Sequence, residues 1–433
     1  MSDAKKKLEE LLGRVRSSIH HPGHETTAPV QVAPTLSDYP EQALLQGLQW
    51  LYRPESGLAN PYFQARRGEL SAGLAIGDRQ YVSFSHYNYL GLAQDSRVKQ
   101  AAQEAVERYG THAGAARMVG GEIELHARLE SELADFTGFE AALVSVGGYS
   151  TNVAAIGYLL DQRDLILHDE YMHNSGIMGA VLSGARRLAF PHNDMDALER
   201  LLREHRAHYR RALIVVEGAY SMDGDLVDLP RVVQLKQAHG CWLMVDEAHS
   251  CGTVGATGRG VCEHFDVAPA QVDLMMGTLS KSFASCGGFL AGRRELIDLL
   301  RHFCPGLLLY STGISPANTA AALAALHLMR AEPQRVARLQ ANARHFREQA
   351  IARGLDCRTA VPGVPIVPLM IDNDGALKLM SRLYESGVVA HAVMHPVVPR
   401  DAARLRCFIS ADHDPGVIEQ TLDLIVRHLG DAD

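Results

Sequence analysis

Between residues 140 and 295 the chain alternates short apolar runs with helical segments, and this alternation limits the folds open to it more than any other feature. Ala141 to Val146, Leu165 to Leu167, Leu213 to Val216, Trp242 to Val245, Val272 to Met276 and Phe289 to Ala291 each have the length of a buried strand and are too short for a helix. The spacing leaves room for crossover helices, which predicts parallel pairing within one sheet. Polar residues follow directly on these runs: Gly147-Gly148-Tyr149, Glu217, Asp246-Glu247-Ala248-His249, and Thr278 to Lys281. In an open α/β sheet the crevice beyond the carboxyl ends of the strands is where ligands bind.

The flanking segments read differently. Leu8, Leu11, Leu12, Val15 and Ile19 recur at helical spacing and predict a helix over residues 4 to 20, ended by Pro22 and Gly23. Residues 24 to 37 suit a linker, and a second helical stretch spans about Glu41 to Tyr52, before turn signals at Pro54, Gly57 and Pro61. Beyond a helical stretch from Pro316 to about Arg353, Ile366 to Ile371 and Arg406 to Ile409 predict strands of a smaller C-terminal domain. The expected organisation is an N-terminal helical extension and linker (1–60), a large α/β domain (61–315) and a small α+β domain (316–433).

Composition excludes several classes of function. The chain has 433 residues, 47% hydrophobic and 21% charged, with no apolar run of the roughly 18 residues that span a bilayer. Lys5, Lys6 and Lys7 lead into a charged amphipathic stretch where a secretion signal would be apolar, so a cytoplasmic location is expected. Seven scattered cysteines without a CxxC pair fit reduced thiols and predict neither a zinc site nor a disulfide framework. A net charge of −8 at pH 7 argues against nucleic-acid binding.

Three segments carry candidate chemistry. Lys281, in Gly277-Thr278-Leu279-Ser280-Lys281-Ser282-Phe283, follows a buried strand, where an ammonium is costly and its pKa falls. Such a lysine suits a Schiff base, although a lysine that snorkels from a strand end fits equally well. Asp246 and His249 follow another strand, and an aspartate held against a pyridine nitrogen keeps that ring an electron sink. A lone Asp-x-x-His also suits metal binding or a satisfied core. Gly147 to Asn152 lies between strand and helix, as a phosphate site would, and equally as a tight turn would. Its spacing fits neither GxGxxG nor a P-loop.

Together, and in this order, these segments resemble the α-oxoamine synthase family of fold-type I enzymes, which depend on pyridoxal 5′-phosphate (PLP). The resemblance runs from about Pro61 to the C-terminus. It is carried by Tyr87-Asn88-Tyr89-Leu90-Gly91-Leu92, Tyr109-Gly110-Thr111 with Arg117, Glu217-Gly218-Ala219-Tyr220-Ser221-Met222-Asp223-Gly224-Asp225, Asp246 to His249 and Gly277 to Ser282. It implies a PLP fold type I architecture, with a mostly parallel sheet flanked by helices in the large domain. It further implies that Lys281 carries PLP, that Asp246 pairs with the pyridine nitrogen, that His249 contacts the phenolic oxygen and that His173 stacks on the ring. Gly148, Tyr149 and Thr278 then fall on the phosphate side, Ser221 beside the ring, and Arg406 on the substrate carboxylate, with Arg404 as the competing choice; Asn88 is a further substrate-side position. Because the family works as a dimer, Ser311 and Thr312 are expected to reach the neighbouring subunit's phosphate.

The implied reaction is a decarboxylative condensation of a small amino acid with an acyl thioester. An aminotransferase or lyase is the alternative within PLP chemistry. A non-catalytic partner subunit would need a broken site, yet Lys281, Asp246, His249, His173 and Arg406 are all present. Glycine, alanine and serine stay open as substrates, as do coenzyme A and an acyl carrier protein as donors. Ser280 to Ser282 and Arg406 to Ala411 resemble the serine palmitoyltransferase members more than the biotin-pathway members. The apolar stripe of the first helix suits packing on its own dimer first, and its basic residues Lys5, Lys6, Lys7, Arg14 and Arg16 suit docking of an acidic carrier protein as the alternative.

Overall fold

The computed structural model describes residue 39 and residues 41–430, apart from 396, 397 and 400. The helix predicted over residues 4 to 20 and the linker after it lie outside the described residues. Residues 1–64 and 65–433 form two units. In the first, the helix Glu41–Leu51 falls where the apolar spacing placed it, and Tyr52 and Tyr62 meet edge-on with ring centres 6.0 Å apart. Pro54 holds Arg53 in extended backbone, which stops the helix.

The second unit begins with short strands β1 (Arg66–Arg67), β2 (Gly73–Ile76) and β3 (Arg79–Ser83). Then follow β4 (Ala141–Ser145), β5 (Leu165–Asp169), β6 (Arg186–Phe190), β7 (Ala212–Glu217), β8 (Trp242–Asp246), β9 (Leu274–Thr278) and β10 (Gly288–Gly292). These seven form one sheet in the order β4-β10-β9-β8-β7-β5-β6. The pairs from β6 to β9 are parallel, as the crossover spacing requires. The sheet is thus mostly parallel, as expected; β10 is the exception to the pairing that the strand spacing predicts, since it runs antiparallel to both β4 and β9. The connection Leu279–Gly287 is shorter than the dozen or so residues of a parallel crossover, so the chain turns back on itself, and Lys281 sits in that turn.

Strands β4, β5, β7, β9 and β10 are buried at every position, which is why their sequences read as unbroken apolar runs. Helices cover both faces. Ile156, Leu159, Ile297 and Leu300 pack on one side, and Leu198, Leu202, Val232 and Leu235 on the other. β6 escaped the sequence reading because it is an edge strand whose Arg186 and Arg187 are exposed.

Toward the C-terminus, the predicted helical stretch is two helices, Pro316–Ala331 and Gln334–Ala352, parted at Pro333. Strands β11 (Ile366–Met370), β13 (His391–Val393) and β14 (Arg404–Phe408) form an antiparallel sheet, order β11-β14-β13, followed by the helix Pro415–Gly430. β12 (Val388–Val389) pairs instead with β3, in parallel. Residues 79–83, which the sequence boundary gave to the large domain, are thus hydrogen-bonded to the C-terminal part of the chain. No described helix is long and apolar enough to cross a membrane.

Candidate active site

Strand β8 ends on Asp246, a buried carboxylate with two donors aimed at it: the Ala248 N–H at 2.9 Å and the Asn152 side-chain amide at 2.8 Å. One turn on, His249 is also buried, with Nδ1 2.8 Å from the Tyr89 hydroxyl. Its ring is parallel to Phe408 at 6.1 Å and edge-on to Tyr87 at 5.9 Å. Burial, and then the positive charges of Lys281 and Arg406, hold the imidazole well below its ordinary pKa, so it is neutral.

Lys281 follows β9 and is partly buried, with Nζ 5.4 Å from the centre of the Tyr87 ring. Burial lowers its amine to about 8, against the opposing pull of Asp246 and Glu217. Glu217, at the end of β7, is the register neighbour of Asp246. Burial first, and then the Asp246 charge, push its carboxyl well above the usual range. Its Oε1 has no hydrogen-bond partner among the described residues.

His173 caps the helix Asn174–Ser183, and its Nδ1 accepts the Ser175 N–H at 3.2 Å and lies 2.7 Å from the Ser175 hydroxyl. The same hydroxyl accepts from the Asn152 amide at 2.9 Å. Asn152 therefore ties Asp246 to the cap of His173. Sequence reasoning quoted Asn152 only as part of a glycine turn and missed Ser175; the signal lay in the polar residues on the first turns of both helices.

Gly148 opens the helix Gly148–Leu159, whose first N–H groups have no acceptor within the helix. A Cβ on Gly148 would sit 3.1 Å from Met276 Cε and from Thr278 Oγ1, so a side chain here would fill the space beside the helix end. Thr278 donates to the Gly287 carbonyl at 3.1 Å and accepts the Ser280 N–H at 3.2 Å. Tyr149 is exposed and donates to Asn174 at 2.8 Å.

The two candidate arginines separate clearly. Arg404 is buried at 1% exposure, paired with Asp223 and bonded to the Met222 and Ala402 carbonyls, which commits its guanidinium to the core. Arg406 is partly exposed, lies over the Phe408 ring at 4.6 Å and donates to the Ser221 carbonyl at 3.2 Å, which brings Ser221 and Arg406 together. Asn88 departs from the expectation. Its amide is spent on the Leu70 carbonyl and the Ala93 N–H, both at 3.1 Å, and Tyr87 beside it faces Lys281 instead. Thr312 is exposed and bridges to Ala116, and among the described residues neither it nor Ser311 bonds to the groups above.

These residues fit PLP. An amine with a lowered pKa suits its aldehyde, a buried carboxylate its ring nitrogen, a neutral imidazole its phenolic oxygen, and a glycine-started helix its phosphate. A mostly parallel sheet with such a set along its carboxyl edge defines a PLP enzyme of fold type I.

Comparison with known proteins narrows the class. Aminotransferase class I and II matches residues 79–425. The chain is 41% identical over 373 residues to 8-amino-7-oxononanoate synthase of Symbiobacterium thermophilum, covering 86% of this chain and 92% of that one. It is 43% identical over 363 residues to the enzyme of that name from Geobacter sulfurreducens, covering 83% and 92%. The solved structure of Sphingomonas wittichii serine palmitoyltransferase is similar at a TM-score of 0.87 and 29% identity, covering 92% of this chain and 99% of that one. The chain belongs to the class I and II aminotransferase family, in its branch of α-oxoamine synthases: PLP-dependent transferases that join an amino acid to an acyl thioester with loss of carbon dioxide. Its overall identity is higher to these oxononanoate synthases than to that serine palmitoyltransferase.

Proposed function

We propose that this site condenses a small amino acid, among glycine, alanine and serine, with an acyl thioester, through the residue roles that follow. PLP, when bound, supplies an electron sink for the negative charge that develops at the amino acid's α-carbon. Lys281 Nζ holds the cofactor and, when free, accepts the α-proton; an amine lowered to about 8 is suited to both tasks at neutral pH. Asp246 keeps the ring nitrogen protonated, and Asn152 and the Ala248 N–H keep its carboxylate aimed. His249 faces the phenolic oxygen, His173 a face of the ring, and Ser221 lies alongside. Gly148, Tyr149 and Thr278 serve the phosphate. Arg406 takes the substrate carboxylate, a role open to it because Arg404 carries the structural ion pair. That division of labour between the two arginines is the observation that best supports the reading.

A homodimer belongs to this proposal, with Ser311 and Thr312 reaching the neighbouring subunit's phosphate. Exposed Met178, Val181 and Leu182, at helical spacing on the helix Asn174–Ser183, support it as apolar side chains to be covered. The proposal keeps a large domain of 61–315 and a small one of 316–433, with β3 crossing between them through its pairing with β12. The free, mostly buried cysteines suit the reducing cytoplasm. An acyl carrier protein docking on Lys5, Lys6 and Lys7 is the donor-side counterpart, on residues outside those described.

A mass-spectrometric product screen tests the substrate choice, pairing glycine, alanine and serine with short and long acyl thioesters of coenzyme A and of a carrier protein. An α-amino ketone from one of the three is expected. Products only from larger amino acids would refute the proposed substrate class.

A further inference from the structure

The imidazole at the centre of the site is held from behind by a residue that no role above uses. Tyr89 is fully buried, and the only hydrogen bond of its hydroxyl among the described residues is the 2.8 Å contact to His249 Nδ1. A buried O–H requires an acceptor, and here that nitrogen is the one available. The bond therefore runs from the tyrosine to the histidine, because an Nδ1–H donated to the phenol oxygen would leave the buried phenol O–H itself without an acceptor. Burial raises the Tyr89 hydroxyl well above its ordinary value, so it keeps its proton, and burial keeps His249 from taking a second one.

We infer that Tyr89 is a positioning residue that fixes His249 in the neutral form with its proton on Nε2, presenting an N–H donor toward the cofactor's phenolic oxygen. The ring has little freedom to evade this arrangement. Phe408 lies parallel to it with an interplanar angle of 6°, Tyr87 meets it edge-on, and Thr253 holds the His249 carbonyl at 2.6 Å. His173 supplies an independent comparison. Its Nδ1 accepts a backbone N–H, a group that can only donate, so its proton is also on Nε2. Both imidazoles thus present donors from their Nε2 atoms. Without the Tyr89 hydroxyl, Nδ1 of His249 is free to carry the proton, which leaves a lone pair on Nε2 where the proposed cofactor places an oxygen lone pair.

The inference rests on the proposed function only where the cofactor's oxygen is named, and the test separates the two. The full chain, with histidine ring nitrogens labelled with nitrogen-15, is examined by NMR without and with PLP, and the His249 signal is identified by its absence in His249→Gln. The parent is expected to carry the His249 proton on Nε2 even without PLP. Tyr89→Phe, which keeps the ring and its packing, is expected to shift the proton wholly or partly to Nδ1, and Ser175→Ala to leave His173 unchanged because the backbone N–H remains. In Tyr89→Phe, PLP retention is expected to fall by about tenfold, the scale of one lost hydrogen bond. A proton on Nδ1 in the parent, or an unchanged tautomer in Tyr89→Phe, overturns the inference; should that variant not fold, the parent spectrum decides alone. PLP affinity unchanged in His249→Gln would refute the cofactor placement while the tautomer result stood.

Discussion

Removing the Lys281 amine is the sharpest change at the scale of single residues. Lys281→Ala is expected to lose the visible, borohydride-reducible absorbance of bound PLP, and a retained reducible band would place the attachment elsewhere. Because the amine is lowered from 10.5 to about 8, its neutral, nucleophilic fraction grows as pH rises through that value. Recombination of the cofactor-free chain with PLP should therefore accelerate between pH 7 and 9 and then level off, whereas a rate still climbing near pH 10 would mean an unshifted lysine. Asp246→Asn should keep PLP and lose about 100-fold or more in turnover, the usual cost of a preorganised charge contact. The two arginines should part company on different assays. Arg404→Ala leaves Asp223 buried and unpaired and should cost about 3–5 kcal/mol of stability. Arg406→Ala should fold, load PLP and bind the amino acid weakly. The reverse pattern, in chemical denaturation and amino-acid titration, would exchange the roles. Sequence alone names Arg406 but leaves Arg404 as its competitor, because two residues apart on one strand they look alike until one of them finds a buried carboxylate.

At the scale of elements, connections that leave the same sheet edge are tied together by one histidine. His192, beyond β6, reaches Asp169 at the end of β5 at 3.0 Å and Asp225 beyond β7 at 2.7 Å, with Tyr171 stacked on its ring at 4.3 Å. Burial lowers its pKa, but the hydrogen bonds and charges of Asp169 and Asp225 outweigh burial and raise it to about 10. A folded pKa above the unfolded value of about 6.5 stabilises the fold fully below that value, and the contribution is lost as pH climbs through about 10. His192→Gln should therefore melt below the parent at pH 6, with the gap closing toward pH 10. A gap independent of pH would mean an uncharged ring. The apolar runs made the sheet and its ligand edge legible in the sequence, since parallel strands buried on both faces leave an unbroken apolar record. What stayed hidden was set by partners: the antiparallel β10 by a short connection, β6 by its exposed arginines, and the pairing of β3 with β12 by a contact between distant parts of the chain. Asn152 and Ser175 escaped because their roles exist only once two helix starts meet.

At the scale of the whole molecule, the proposed homodimer makes a testable demand on the outer face of the helix Asn174–Ser183. Leu182, 66% exposed, and Val181, 59% exposed, leave most of their apolar surface in water in an isolated subunit. Leu182→Glu should shift sedimentation from dimer to monomer and lower activity with it, and an unaltered dimer would move the interface elsewhere. The deeper question for the molecule is which bond it breaks, and it is answered by following the substrate's own carboxyl carbon. With an amino acid labelled with carbon-13 at the carboxyl position and an acyl thioester, the account predicts that the label leaves as carbon dioxide, one free thiol appears per turnover, and the α-amino ketone carries no label. Label retained in an α-keto acid, with the thioester intact, would contradict it.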